Sequence, residues 1–173
     1  MIELTPAGEA DYPEVIALTN LAFRGTGPQA SWNVESVIAG ERINDSLLRE
    51  DLANAPDGHL LLWRDDDGEL LGHVRLEPAG EGAWYLGMLT VRPDRQDQKL
   101  GRTLLTAAED FARDHGAARI RMTVIHVRDT LIAWYLRRGY ALTGESKPFP
   151  YGDDRFGRPT RDDLHFVVLE KAL

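Results

Sequence analysis

Cysteine is absent from this chain of 173 residues, which excludes disulfides, thiolate metal ligation, thiol nucleophiles and thiol redox switching. Long apolar runs are missing as well: stretches such as Leu60–Trp63 and Phe166–Leu169 fall far short of the roughly 20 residues that span a membrane. Positive charge is in deficit, with 20 Lys and Arg against 28 Asp and Glu and a net charge of −8. A general nucleic-acid or membrane-surface binder needs the opposite balance, so neither partner is expected. The chain opens Met1-Ile2-Glu3-Leu4 without a basic stretch and an apolar stretch behind it, and a cytoplasmic location is expected. His59, His73, His115, His126 and His165 show no H-x-H, H-x-x-x-H or H-E-x-x-H spacing, so no metal site is expected. Also missing are G-x-G-x-x-G behind a strand, G-x-x-x-x-G-K and G-x-S-x-G, which sets aside Rossmann, P-loop and serine-hydrolase chemistry.

What is present is ordinary globular material, 43% hydrophobic and 28% charged, enough for one domain over residues 1–173. Ile2–Leu4 reads as a first strand. A helix follows, with Asp11 as cap, Pro13 in its first turn and Val15, Leu18, Leu21 and Ala22 at helical spacing. Gly25 to Pro28 ends it, and 31–54 is predicted helical in pieces, the last capped by Asn44 or Asp45. His59–Arg64, Glu69–Glu77 and Ala83–Val91 predict an antiparallel meander, the first turn marked by Asp67-Gly68. A helix over Leu100–His115, a strand over Ala118–His126 and a helix capped by Asp129 or Thr130 and running to Arg138 come next. Tyr140–Thr143 and Leu164–Lys171 are final strands around a long polar loop. The order predicts an α/β fold, a mixed central sheet of about six or seven strands flanked by about four helices.

The segment between the third meander strand and the next helix stands out. Arg92, Arg95, Lys99 and Arg102 gather positive charge there in an otherwise acidic chain. The unpaired N–H groups of a helix start, with the positive end of its dipole, seat phosphate well. Two readings are open at this point: a polyanion site, or a solvated loop whose arginines pair with Asp94 and Asp97.

The run Val91-x-Pro93-x-x-Gln96-x-x-x-x-Gly101-x-x-Leu104-Leu105 resembles the acetyl-CoA signature of the GNAT acyltransferase superfamily. Downstream, Trp134-Tyr135-Leu136-Arg137-Arg138-Gly139-Tyr140 resembles that superfamily's second motif, a helix carrying Tyr-x-x-x-Gly-Phe/Tyr. The resemblance implies a GNAT-like fold and transfer of an acetyl group from acetyl-CoA, as co-substrate, to a primary amine of a small molecule or peptide. By carry-over, Leu89, Thr90 and Val91 take the pantetheine arm through main-chain groups. Gln96, Asp97, Gln98, Lys99, Leu100, Gly101 and Arg102 hold the diphosphate, with Arg128 nearby. Two positions depart from the pattern: Lys99 replaces the first glycine of the signature, and Arg128 replaces an asparagine at the start of the later helix.

Tyr135 matches the family's general acid, and a phenol with a pKa near 10 is protonated at neutral pH and able to donate to the leaving thiolate. The carboxylate that the family places on one of two strands falls here on Tyr85 and Thr123. Glu77, Glu81 or His126 is then the substitute base, Glu77 foremost, with deprotonation through water as the alternative. Trp32, Glu35 and Arg42, with Tyr85, are the candidate acceptor-binding residues, an aromatic wall beside charge that suits an amine. The loop over 145–163, with Phe149, Tyr151 and Phe156, fits either a lid or a homodimer contact. A module that binds acyl-CoA without catalysis, or serves in assembly, is the second functional reading.

Overall fold

The computed structural model describes residues 2–25 and 37–173, and of residues 96–98 and 156 the backbone alone. Its strands are β1 (Thr5–Pro6), β2 (Ile38–Ala39), β3 (His59–Arg64), β4 (Leu70–Pro78), β5 (Ala83–Val91), β6 (Arg119–Ile125), β7 (Ala141–Pro148), β8 (Arg158–Pro159) and β9 (His165–Ala172). Its helices are α1 (Tyr12–Arg24), α2 (Asp45–Asn54), α3 (Leu100–Asp114) and α4 (Asp129–Arg137). Seven strands form one sheet in the order β1-β3-β4-β5-β6-β9-β7, and β2 pairs with β8 in a separate ribbon. Every neighbouring pair in the large sheet is antiparallel except β5 with β6. This is the mixed α/β architecture expected from the sequence.

The sheet is covered on both faces, which is why β3 reads as a continuous apolar run rather than an alternation. Leu60 and Leu62 join Val15, Leu18, Leu47 and Leu48 of α1 and α2, while Leu61, between them, joins Leu104, Leu105 and Ala108 of α3. Side chains alternate along a strand, so a single run serves two cores. Pro13 occupies the first turn of α1, where its missing N–H breaks no helical bond. Asn44 caps α2 by accepting from the Leu47 N–H at 2.9 Å. The Asp65-Asp66-Asp67-Gly68 turn is held by Asp65 Oδ1, which accepts from the N–H groups of Asp67 and Glu69 at 2.9 Å each.

Four local expectations are corrected. The first ladder residues are Thr5 and Pro6, not Ile2–Leu4; Leu4 owes its apolar character to packing against the α3-side core. Asp11 holds the cap position of α1 but makes no side-chain cap; its carboxylate turns back to accept from the Gly8 N–H at 2.8 Å, at a short 3-10 turn. The residue at the α4 cap position is Arg128, which contributes no side-chain cap, rather than Asp129 or Thr130. Finally, β7 runs to Pro148 instead of stopping at Thr143. It is an edge strand exposed along its length and bulged between Leu142 and Ser146, so it carries no buried periodicity to read. Among the described residues no helix is long and apolar enough to cross a membrane.

Candidate functional site

The site begins where two parallel strands part. Pairing between β5 and β6 covers only Ala83–Tyr85 against Arg119–Arg121. Beyond Tyr85, β5 is bulged against β4 between His73 and Arg75, with Met88 in the left-handed region at φ 52°. The extra residue turns the strand away from β6. The Arg92 N–H still donates to Leu71 O on β4 at 2.9 Å. Backbone alternation then points the polar groups of Val91 and Leu89 to the opposite edge, the one β6 has left. That edge opens on a cavity of about 600 Å³ whose lining includes Leu86, Gly87, Met88 and Leu89 from β5, Met122 to Ile125 from β6, and Leu131 and Tyr135 from α4. Thr90 turns away from this edge: its side chain is buried with the hydroxyl donating to Met88 O at 2.9 Å, and its main chain is paired with His73 on β4.

At the far end of that edge the chain passes through 3-10 turns over Pro93–Gln98 and enters α3 through Lys99, left-handed at φ 58° and ψ 33°. Here the glycine of the motif would be unstrained, and lysine is not. The first helical bond runs from Thr103 N–H to Lys99 O at 3.1 Å. The amides of Leu100, Gly101 and Arg102 precede it, at the positions a helix start leaves without intrahelical partners. A β-carbon at Gly101 would lie 3.6 Å from the Trp134 indole, so this face of the turn is closely covered by α4. The basic cluster resolves into two sets. Arg92 is bound to Glu69 and, at 2.9 Å, to Asp94; Arg95 is bound to Glu69 at 2.7 Å. The paired reading holds for Arg92 through Asp94, while Arg95 is paired with Glu69 and Asp65 rather than with an acid of its own loop. Lys99 and Arg102 project from the exposed side of the turn.

Tyr135 is 6% exposed on α4, edge-on to Tyr140 with ring centroids 5.6 Å apart, and it borders the cavity. Burial pushes its phenol well above the ordinary value; the Arg128 guanidinium opposes that shift and Tyr85 adds to it. Its hydroxyl is thus more firmly protonated than a free phenol, a change from the expectation of an ordinary pKa. Arg128 also lines the cavity. Tyr85 and Thr123, the positions where a carboxylate was sought, hydrogen-bond to each other at 2.7 Å across the gap between β5 and β6. They pin the strands where they begin to separate.

At the other end of the cavity lie Arg42, Asp51, Arg75, Glu77 and Asp153. Glu77 stands opposite Tyr85 in the β4–β5 register and 3.6 Å from Arg75. Arg75 donates to Ala55 O at 3.1 Å, and burial pulls it below the usual arginine range. The Arg42 guanidinium lies 5.6 Å over the Phe23 ring. Phe149 and Pro150, from the long loop, cover this end together with Phe166. Trp32 and Glu35 lie outside the described residues. Sequence reasoning missed Asp51, whose carboxyl is raised above the usual range by burial, with Arg42 opposing. A signal existed: Asp51 follows the buried Leu47 and Leu48 by four and three residues, placing a carboxylate on the inward stripe of α2.

Comparison with known proteins gives the same direction. The model of the acetyltransferase (GNAT) family matches residues 21–140. The chain is 29% identical over 133 residues to mycothiol acetyltransferase of Stackebrandtia nassauensis, covering 75% of this chain and 41% of that protein. It spans about two fifths of the length of the curated relatives it matches. In structure it resembles ribosomal-protein-alanine N-acetyltransferase from Brucella melitensis, with a TM-score of 0.69 at 18% identity over 99% of this chain and 100% of that one. It also resembles a GNAT family acetyltransferase from Elizabethkingia anophelis with acetyl-CoA bound, with a TM-score of 0.67 at 17% identity over 99% of this chain and 98% of that one. These low identities speak to the fold, whereas the family match spans both motifs; the chain belongs to the acetyltransferase (GNAT) family.

Proposed function

We propose that this chain, as a single domain over 1–173, transfers the acetyl group of acetyl-CoA to a primary amine of a small molecule or peptide by direct attack with both substrates bound. The observation that carries the reading is the open edge of β5: Leu86 to Leu89 line a cavity shared with Tyr135, and the same strand runs on toward the start of α3. The residues present fit the coenzyme. Main-chain groups of Leu89 and Val91 suit an extended amide-bearing arm laid against the edge. The amides of Leu100, Gly101 and Arg102, with Lys99 beside them, suit a diphosphate.

Holding the thioester and the amine together supplies proximity, the main part of the acceleration. An amine reaches the cavity as an ammonium and must lose a proton before attack. Glu77 is the proton acceptor placed beside Tyr85, with water in the cavity as the alternative route. As the C–S bond breaks, negative charge collects on sulfur. Tyr135, held protonated by its burial, donates to that sulfur and is restored by the second proton, which the attacking nitrogen loses as the amide forms, while the proton shed before attack leaves through Glu77 or water. Arg128, close enough to act on the same phenol, favours negative charge there. The loop around Phe149 and Pro150 serves as a lid on the acceptor end.

The test is release of free thiol from acetyl-CoA in the presence of amino acids, polyamines, aminoglycosides and peptide N-termini. Turnover with at least one class is expected, and Tyr135→Phe should lower kcat about 100-fold while leaving the Kd for CoA within about twofold. Coenzyme binding without amine-dependent thiol release would instead favour the non-catalytic reading.

A further inference from the structure

A buried guanidinium in the wall of the cavity is short of acceptors. Arg75 stands on β4 with its side chain 10% exposed and lines the end of the cavity away from Tyr135. A guanidinium carries five N–H donors. Among the described residues this one makes a single hydrogen bond, to Ala55 O at 3.1 Å. Glu77, at 3.6 Å, is an ion pair beyond hydrogen-bond reach. The chain makes room for the group: a β-carbon at Gly58 would lie 2.4 Å from Nη1 and 2.7 Å from Cζ. The Gly58 backbone is not left-handed, so the space taken by the guanidinium, rather than the conformation, calls for glycine. Across the β4–β5 ladder Arg75 faces Gly87, which has no side chain to cover it and lines the same cavity.

Two carboxylates share this end. Glu77 lies next along the same face of β4, and Asp51 on α2 has no hydrogen bond or ion pair among the described residues. Burial lowers Arg75 below the usual arginine range, and the fields of Glu77 and Asp51 oppose it. Asp153, also at this end, is taken up by Arg155 at 3.0 Å. A donor-rich cation beside carboxylates complements a ligand that carries charges of both signs. A polyamine would be repelled by the guanidinium, and an amine without an anionic group would bury its donors unmet.

We propose that Arg75, seated against Gly58, takes the carboxylate of the acceptor, and that the acceptor is a free α-amino acid. The proposal rests on the acetyl-transfer reading above and narrows its amine to this class. The planar fork of a guanidinium meets a carboxylate in paired, charge-assisted hydrogen bonds, which a lysine or a neutral donor would not reproduce. In an α-amino acid the nitrogen is one carbon away from the carboxylate. Seating that carboxylate on Arg75 therefore brings the ammonium beside Glu77, the proton acceptor of the proposed reaction. The transfer itself is unchanged: nitrogen bonds to the acetyl carbon, the C–S bond breaks with its electron pair going to sulfur, and sulfur takes a proton. The products are an N-acetylamino acid and the free thiol.

Alanine, leucine, phenylalanine and arginine, each paired with its own carboxamide, test this on the full chain through thiol release from acetyl-CoA and through calorimetric titration in the presence of CoA. For at least one pair the acid is expected to exceed its amide about 100-fold in kcat/KM, with a matching preference in binding. Arg75→Gln should bring that pair within about threefold by slowing the acid more than the amide. Gly58→Ala keeps the charge and pushes the guanidinium aside, so it should cut the same preference about tenfold while the urea midpoint stays near that of the unmodified protein. Equal kcat/KM for acids and amides in the unmodified protein, or an Arg75→Gln variant that keeps the preference, would overturn the carboxylate seat and leave acetyl transfer standing. Preferential binding of an acid without thiol release would support the seat and count against acetyl transfer. Neither binding nor turnover of any of these acids would overturn the seat.

Discussion

Lowering the pH should unfasten α1 from the sheet through one buried imidazole. His73 lies on β4 with no exposed surface, its Nε2 2.9 Å from the Thr19 hydroxyl on α1. That hydroxyl donates to Val15 O at 2.7 Å, so the ring proton sits on Nε2 and is given to Thr19. Nδ1 is left buried with no hydrogen-bond partner. A second proton would have to enter at Nδ1, into apolar surroundings, and burial accordingly brings the pKa from 6.5 down to about 4. Between those two values the unfolded chain binds a proton that the folded chain refuses. The stabilising contribution is therefore complete above about pH 6.5 and is lost as pH falls toward about 4. At about 1.4 kcal/mol for each tenfold of proton concentration, the full loss is about 3 kcal/mol, a large part of an ordinary domain's stability. Urea unfolding at several pH values, compared with His73→Gln, isolates the effect. Glutamine keeps a donor toward Thr19 and does not titrate, while His59, also lowered by burial, remains in both proteins and cancels in the difference. The variant should lose less stability than the unmodified protein between pH 6.5 and 4.5. Parallel stability curves would refute the assignment.

Two further outcomes are expected from single substitutions. Lys99→Gly relieves a left-handed residue at φ 58° and should raise stability by about 0.5–1 kcal/mol in a denaturant melt. If its ammonium also serves the diphosphate, the same change should weaken CoA several-fold in a binding titration; tighter binding would remove lysine from that role. Glu109 is buried on α3, accepts from the Tyr140 hydroxyl at 2.9 Å and pairs with Lys171 at 3.0 Å. Glu109→Ala strands both partners and should cost about 2–3 kcal/mol, read by thermal or urea unfolding, whereas a loss below about 0.5 kcal/mol would show the network to be dispensable.

Much of this molecule was fixed by local sequence. The Asp65–Gly68 turn, the apolar stripe of α3 and the Pro93–Gly101 spacing depend on neighbours within a turn or two, and their signals survive in one dimension. The tyrosine at 135 and the turn before α3 were legible for the same reason, because each is placed by its own helix. Tertiary structure decided what depends on distant partners. Whether Arg92 and Arg95 were available to a ligand turned on Glu69, just ahead of β4 and more than twenty residues back in sequence, whose carboxylate pairs with both. The hydrogen bond between Tyr85 and Thr123 required knowing that β5 and β6 are parallel neighbours for only a few residues. Asp51 gained its raised pKa, and Arg138 its place between Trp134 and Arg102, only when helices separated by long stretches of chain were packed together. Charge and exposure depend on how the whole chain excludes water, so burial and electrostatics appear with the assembled fold while periodicity and turn chemistry precede it.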